Sequence, residues 1–329
     1  MRLSVLPLWW TWAVLAAAGS IAGAAEKLRI ESSLDAMGSV YTVVAYGEDR
    51  NQLQTAVDLS FEEIKRLDDL LSNYRPRSEW SKVNREASSG PVRVSPELFQ
   101  LVEACMRYSR ASDGAFDITV GPLVRTWGFF KGSGRLPHRA EIRTALTKVG
   151  YRNVTLNRDN LTIQYARPGV EMDPGGIGKG YAVDRIVEIL RARGVTSALV
   201  SAGGSSIYAI GTPPNEPAGW SVKIRHPKKA EESVAEVHLR DSSMATSGTN
   251  EKFFYSGGRL FSHIFDPRTG YPAAGMFSVS VLAPHAIDSE AWTKPMFILG
   301  RSWASQHKQK DLRVFFCEDK TEIRCAWLQ

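Results

Sequence analysis

Met172-Asp173-Pro174-Gly175-Gly176-Ile177-Gly178-Lys179-Gly180-Tyr181-Ala182-Val183-Asp184 sets four glycines within six residues, brackets them with two carboxylates and adds one lysine. Without a Cβ, glycine lets backbone amides approach a ligand closely, and a lysine ammonium is a point charge suited to phosphate. The spacing fits neither G-x-G-x-x-G nor G-x-x-x-x-G-K-[ST], so neither common nucleotide fingerprint applies. The stretch reads as a phosphate-site candidate leading into a helix over 181–193, which Gly194 ends. A plain Gly-rich turn has the same local signature, so the surrounding chain decides.

Outward from this stretch, the two periodicities of strands and helices alternate. Residues 40–45 alternate as a strand, whereas 53–71 and 96–110 repeat at helical spacing, the second opened by Ser95 as cap and Pro96 in the first turn. A third helix is expected over 140–149, a hairpin over 154–165 turning at 158–160, and strands over 198–201, 220–224 and 234–239. No repeat and no long linker interrupts the chain. The expected architecture is α+β, a single large domain of mixed strands and helices over residues 25–329.

At 329 residues, 43% hydrophobic and 23% charged, the chain can bury a sizeable core and is not a disordered or low-complexity protein. Its formal charge of +6 is scattered, apart from a short cluster at 225–229, which gives nucleic-acid binding no support. Residues 1–24 differ from the rest: Arg2, an apolar run over 3–18, then Ala22-Gly23-Ala24, the pattern of a cleaved secretory signal. Export to the periplasm is expected. No cysteine near the cleavage site offers a lipid anchor, so membrane association would be at most peripheral. In an oxidising compartment three cysteines leave at least one unpaired. Cys317 and Cys325 lie on two apolar segments joined by a turn, where a cross-strand disulfide is possible, and Cys105 fits a buried helical position.

Several segments carry chemistry. Ala202-Gly203-Gly204-Ser205-Ser206 follows a strand and permits a second close backbone approach. Ser112-Asp113-Gly114-Ala115-Phe116-Asp117 places two acids around a turn and leads to Trp127-Gly128-Phe129-Phe130, aromatic surface for a flat ring or for a core. Ala245-Thr246-Ser247-Gly248 clusters small hydroxyls. In His263-Ile264-Phe265-Asp266-Pro267-Arg268-Thr269-Gly270 a histidine precedes an aspartate by three residues, an arrangement that can hold an imidazole ready to take a proton.

Together with Ala36-Met37-Gly38-Ser39 and Leu71-Ser72-Asn73-Tyr74, these motifs in this order resemble the ApbE family, the FAD:protein FMN transferases, from about residue 34 to residue 300. The resemblance implies a T-fold-like architecture and an exported enzyme that binds FAD and Mg²⁺. Such an enzyme transfers FMN through a phosphoester to a threonine of an acceptor flavoprotein, exported or membrane-bound, and releases AMP. It assigns catalytic roles to His263 and Thr246, and FAD contacts to Met37, Tyr74, Ala115, Phe116, Asp117, Asp173, Lys179 and His263. It places the metal at the carbonyl of Gly176 and at Glu290, with Asp288 and Thr293 as nearby candidates. Here the chain departs from the family pattern, because Glu290 stands at an Asp position and Lys294 at a Thr position. Glutamate suits Mg²⁺, but a charged lysine cannot ligate and can only replace part of the cation's charge. Two other readings stay open: an exported FAD-binding protein without transferase activity, and a Mg²⁺-dependent FAD pyrophosphatase.

Overall fold

The computed structural model describes residues 27–329 apart from 131, 230 and 321. The expected leader, residues 1–24, lies outside the described residues. Among the described residues eight strands form the main sheet: β1 (Leu28–Ala36), β2 (Ser39–Gly47), β3 (Ser197–Ala202), β4 (Ser206–Ile210), β5 (Ser242–Gly248), β6 (Met276–Ala283), β7 (Arg313–Glu318) and β8 (Arg324–Trp327). Their order across the sheet follows the chain, and every neighbouring pair is antiparallel. The fold is α+β, as expected. Cys317 and Cys325 face each other across β7 and β8 and form a disulfide, while Cys105 is buried and free.

Among the described residues seven α-helices accompany the sheet: α1 (Arg50–Leu71), α2 (Glu79–Glu86), α3 (Pro96–Ala111), α4 (Gly121–Thr126), α5 (Arg139–Leu146), α6 (Gly178–Ala192) and α7 (Ala286–His307). Local chemistry sets their starts: Asp49 accepts from the amides of Asn51 and Gln52, and Ser95 from that of Leu98. The apolar stripes of α1 and α6 pack on β1, β2 and β3 around Tyr41, Val43, Leu67, Ile186 and Val200, and the buried face of α3 joins the same core. On β6 and β7, α7 buries Trp292, Met296 and Phe297. A hairpin, Trp220–Arg225 with Ser233–Leu239, contributes Trp220 and Leu239 to a third cluster with β4 and β7. Trp127, expected either as ring platform or as core, is core: it is fully buried against Phe261 and Phe265. Among the described residues no helix is long and apolar enough to cross a membrane.

Several elements differ from expectation: β1, β4, β5 and β6 lie where no strand was expected, and two helices differ as well. The short α2, with Ser78 as its cap, is too brief to show a clear period. Helix α6 begins at Gly178, three residues before the expected start, so Gly178, Lys179 and Gly180 form its first turn. A loop would have matched the weak helix propensity of the two glycines, but docking against α7 overrides it.

Candidate active site

A cavity of about 510 Å³ opens where the β1–β2 turn, the end of α1, the 115–118 segment, the Gly-rich stretch, β5 and α7 converge. Met37, Tyr74, Ala115, Phe116, Asp117, Asp173, Gly176, Lys179, Thr246, His263 and Glu290 all line it. Of the expected site residues, Asp288 and Thr293 are not brought to its wall. Tyr108 donates its hydroxyl to Asp288 at 2.6 Å, and Thr293 is buried with its hydroxyl 2.7 Å from both the Glu290 carbonyl and Ser247 Oγ. The reason is where α7 begins: starting at Ala286, it turns Glu290 and Lys294, four apart and hence on one face, toward the cavity.

The Gly-rich stretch divides into two devices. Asp173 caps the 3-10 turn Pro174–Gly176, its Oδ1 accepting from the Gly175 amide and its Oδ2 from Asn73 Nδ2, both at 2.8 Å. Burial pushes this carboxyl above the ordinary aspartate value, against the pull of those hydrogen bonds. The second device is the start of α6. A Cβ on Gly180 would stand 2.3 Å from the Ala286 carbonyl oxygen, so the glycine is required for α6 and α7 to meet backbone to backbone. Asp184, one turn on, does not face a ligand: its oxygens accept from the Ala286 and Ile287 amides at 2.7 and 2.8 Å and so cap α7.

Lys179 reaches back from this first turn to donate to Ser205 Oγ, joining the stretch to the Gly203-Gly204 turn between β3 and β4. Among the described residues no carboxylate lies within ion-pair reach of Lys179. Met37 occupies the two-residue β1–β2 turn with φ of 51°, a left-handed conformation uncommon outside glycine, and points its side chain toward Gly178. Asp117 is buried and spends its oxygens on Thr119 and the Tyr151 amide, which makes it the clasp of the 115–120 segment. Tyr74, half exposed, stacks on Phe130 with ring centroids 4.7 Å apart, forming an aromatic rim. Thr246 shares a 2.7 Å hydrogen bond with Ser280 across β5 and β6.

His263 is held by a partner that sequence spacing did not identify. Asp266 pairs with Arg268 at 2.8 Å instead of orienting the imidazole. The orienting group is the Lys252 carbonyl, 3.1 Å from His263 Nδ1. A carbonyl only accepts, so Nδ1 carries the proton and Nε2 is left as the basic nitrogen, 3.9 Å from Glu251. The hairpin Phe253–Ser256 with Arg259–Ser262 creates this contact, because its register sets Phe253 opposite Ser262 and so Lys252 beside His263. Burial holds the imidazole below its ordinary pKa, with Glu251 opposing, so it is neutral at neutral pH.

The donor set at Gly176 and Glu290 does not fit the expected Mg²⁺. Glu290 is 2% exposed, and its Oε2 already accepts from the Gly180 amide. Lys294 Nζ lies 4.0 Å from the remaining Oε1 and donates to the Glu290 carbonyl at 3.3 Å. Its Cε stands 3.6 Å from where a Cβ on Gly176 would be. The Lys294 side chain therefore already occupies the space beside the two groups meant to hold the metal, with burial pulling its ammonium below the ordinary lysine pKa and Glu290 opposing, and among the described residues no cluster of three or more His, Cys, Asp or Glu offers another site.

Fold and cavity define an α+β protein whose candidate site sets an imidazole beside a glycine-rich helix start and three lysines. The chain belongs to the ApbE family, whose model matches residues 37–316. It is 31% identical over 291 residues to the FAD:protein FMN transferase of Klebsiella pneumoniae (strain 342), covering 87% of this chain and 88% of that one. It is 32% identical to the enzyme of the same name from Treponema pallidum (strain Nichols), over 87% of this chain and 83% of that one. By family, then, it is an enzyme. The crystal structure of the ApbE protein from Thermotoga maritima superposes with a TM-score of 0.83 at 30% identity, covering 90% of this chain and 96% of that one. The flavin transferase ApbE from Vibrio cholerae gives 0.78 at 26% identity, over 92% and 97%.

Proposed function

We propose that this protein is an exported FAD:protein FMN transferase that moves FMN from FAD to a threonine hydroxyl of an acceptor flavoprotein and releases AMP. The observation that carries the reading is His263, its Nδ1 held at the Lys252 carbonyl, on the wall of the cavity that the Gly-rich stretch and Lys179 also line. FAD would lie with its flavin toward Tyr74, Ala115, Phe116 and Asp117. Its pyrophosphate would lie near Lys179 and the amides of the α6 start, where helix N–H groups favour an anion.

His263 Nε2 takes the proton of the acceptor threonine hydroxyl. The threonine oxygen bonds to the phosphorus that belongs to FMN, and the bond from that phosphorus to the bridging oxygen breaks. AMP leaves with that oxygen and its charge, and the histidine proton passes to product or solvent. Mg²⁺ is not part of this sequence, because the residues at Gly176 and Glu290 do not fit it. A simple FAD carrier needs no base at the cavity wall, which favours transfer over binding.

The test is incubation with FAD and a protein bearing a target threonine, followed by intact mass and analysis of the small products. Covalent FMN on the acceptor with AMP released supports transfer. Free FMN with an unmodified acceptor marks a pyrophosphatase, and unchanged FAD marks a binding protein. His263→Ala is expected to lower transfer by roughly 10²- to 10⁴-fold while leaving FAD affinity nearly intact.

A further inference from the structure

A bound pyrophosphate is an anion that an enclosed site must neutralise before a nucleophile can approach phosphorus. In this cavity three lysines supply positive charge: Lys252, just before the Phe253–Ser256 strand, and Lys179 and Lys294, from two helices. Lys179 extends from the first turn of α6 and is unpaired with any carboxylate among the described residues. Lys294 extends from α7 toward the same space, beside Gly176 and Glu290. We propose that the Lys294 ammonium, with Lys179, takes the place of a divalent cation at the pyrophosphate, so that this enzyme binds FAD and transfers FMN without metal. The proposal rests on the reading of the cavity as a FAD site.

The packing around Lys294 explains how one ammonium can be aimed. Glu290, one turn earlier on the same face of α7, is fixed by the Gly180 amide, and its carbonyl and carboxylate hold the lysine head from one side. An ammonium has three donors, so at least one stays available to a phosphate oxygen. Thr293, beside it in sequence, cannot compete, since its hydroxyl is engaged with Ser247 and the Glu290 carbonyl. A Mg²⁺ bound to Glu290 Oε1 at about 2.1 Å would stand close to the ammonium, and like-charge repulsion would oppose both. Lysine and metal are therefore alternatives at this position, and the chain carries the lysine.

The experiment is FAD titration of the full chain by flavin fluorescence, in EDTA and again with excess Mg²⁺, with bound metal counted by elemental analysis. The expected result is equal FAD affinity, within about twofold, in both conditions and no stoichiometric metal. Lys294→Met is expected to weaken FAD by about tenfold or more in EDTA, the loss of one charge-assisted hydrogen bond, and Lys294→Arg to retain most of the affinity. The pair Glu290→Asp with Lys294→Thr should make FAD binding tighten on addition of Mg²⁺. Wild-type binding that needs Mg²⁺, or an unchanged affinity in Lys294→Met, overturns the proposal while the FAD site stands. No FAD binding in either condition removes both.

Discussion

Replacing Gly180 by alanine tests whether the glycines of the 172–184 stretch serve helix packing as well as the ligand. The new Cβ would stand 2.3 Å from the Ala286 carbonyl oxygen, 2.8 Å from its carbon and 3.0 Å from Glu290 Cβ. Non-bonded heavy atoms rest at about 3.5 Å, so α6 and α7 must part by roughly 1 Å. Two of the obstacles are backbone, which cannot rotate away, so the cost belongs near the top of the overpacking range, about 3 kcal/mol. Separation also breaks the hydrogen bond from the Gly180 amide to Glu290, worth about 1.5 kcal/mol for a charged acceptor, while alanine returns about 1 kcal/mol of helix propensity. The net destabilisation is about 3.5 kcal/mol, which for a chain of this length lowers the melting temperature by roughly 5 °C. Because α7 carries Glu290 and Lys294, a 1 Å displacement should also reduce transfer by about 100-fold at temperatures where the variant is folded. Thermal unfolding followed by circular dichroism, with a transfer assay at 25 °C, measures both. Gly176→Ala is the control, since its Cβ meets only Lys294 Cε and Phe116 Cε2 at an ordinary 3.6 Å and should leave stability nearly unchanged. A Gly180→Ala protein that melts within a degree of wild type and transfers normally would refute the close-approach argument.

The transfer rate should stay level through neutral pH and fall only on the acid side of about 6.5, because burial holds His263 below the ordinary imidazole value and the base works unprotonated; a half-point at or above pH 7 contradicts the assignment. Burial lifts Asp184 to about 6, so the folded state binds its proton more tightly than the unfolded chain does. Relative to Asp184→Asn, wild type should therefore lose up to about 3 kcal/mol of stability as pH rises from about 4 to about 6, read by urea denaturation at each pH. Asp184→Ala orphans the Ala286 and Ile287 amides and should cost about 2 kcal/mol at neutral pH. Reducing Cys317–Cys325, which closes a short loop, should cost about 2 kcal/mol yet leave FAD affinity unchanged, because neither β7 nor β8 lines the cavity.

Local rules carried the reading of the sequence far. The period over 53–71, the Ser95-Pro96 start and the turn at 158–160 depend on residues a few positions apart, and α1, α3 and the hairpin Val154–Asn157 with Thr162–Tyr165 appear where they were expected. The motifs likewise marked most of the cavity wall, from Met37 to Glu290. Asn73, which fixes Asp173, and Lys252, which orients His263, went unassigned, since no local pattern signals a partner brought from 100 residues away or across a hairpin. Nor does spacing reveal that Gly180 and Asp184 face α7 and not a ligand. By itself the sequence determined an α+β chain with a glycine-rich, lysine-bearing site and a candidate base. The tertiary structure alone decided which of those groups meet: strand register chose the carbonyl that sets the imidazole's proton, and the docking of α7 on α6 put an ammonium at the expected metal position. Such pairings arise from long-range packing, whose geometry depends on elements distant in the chain.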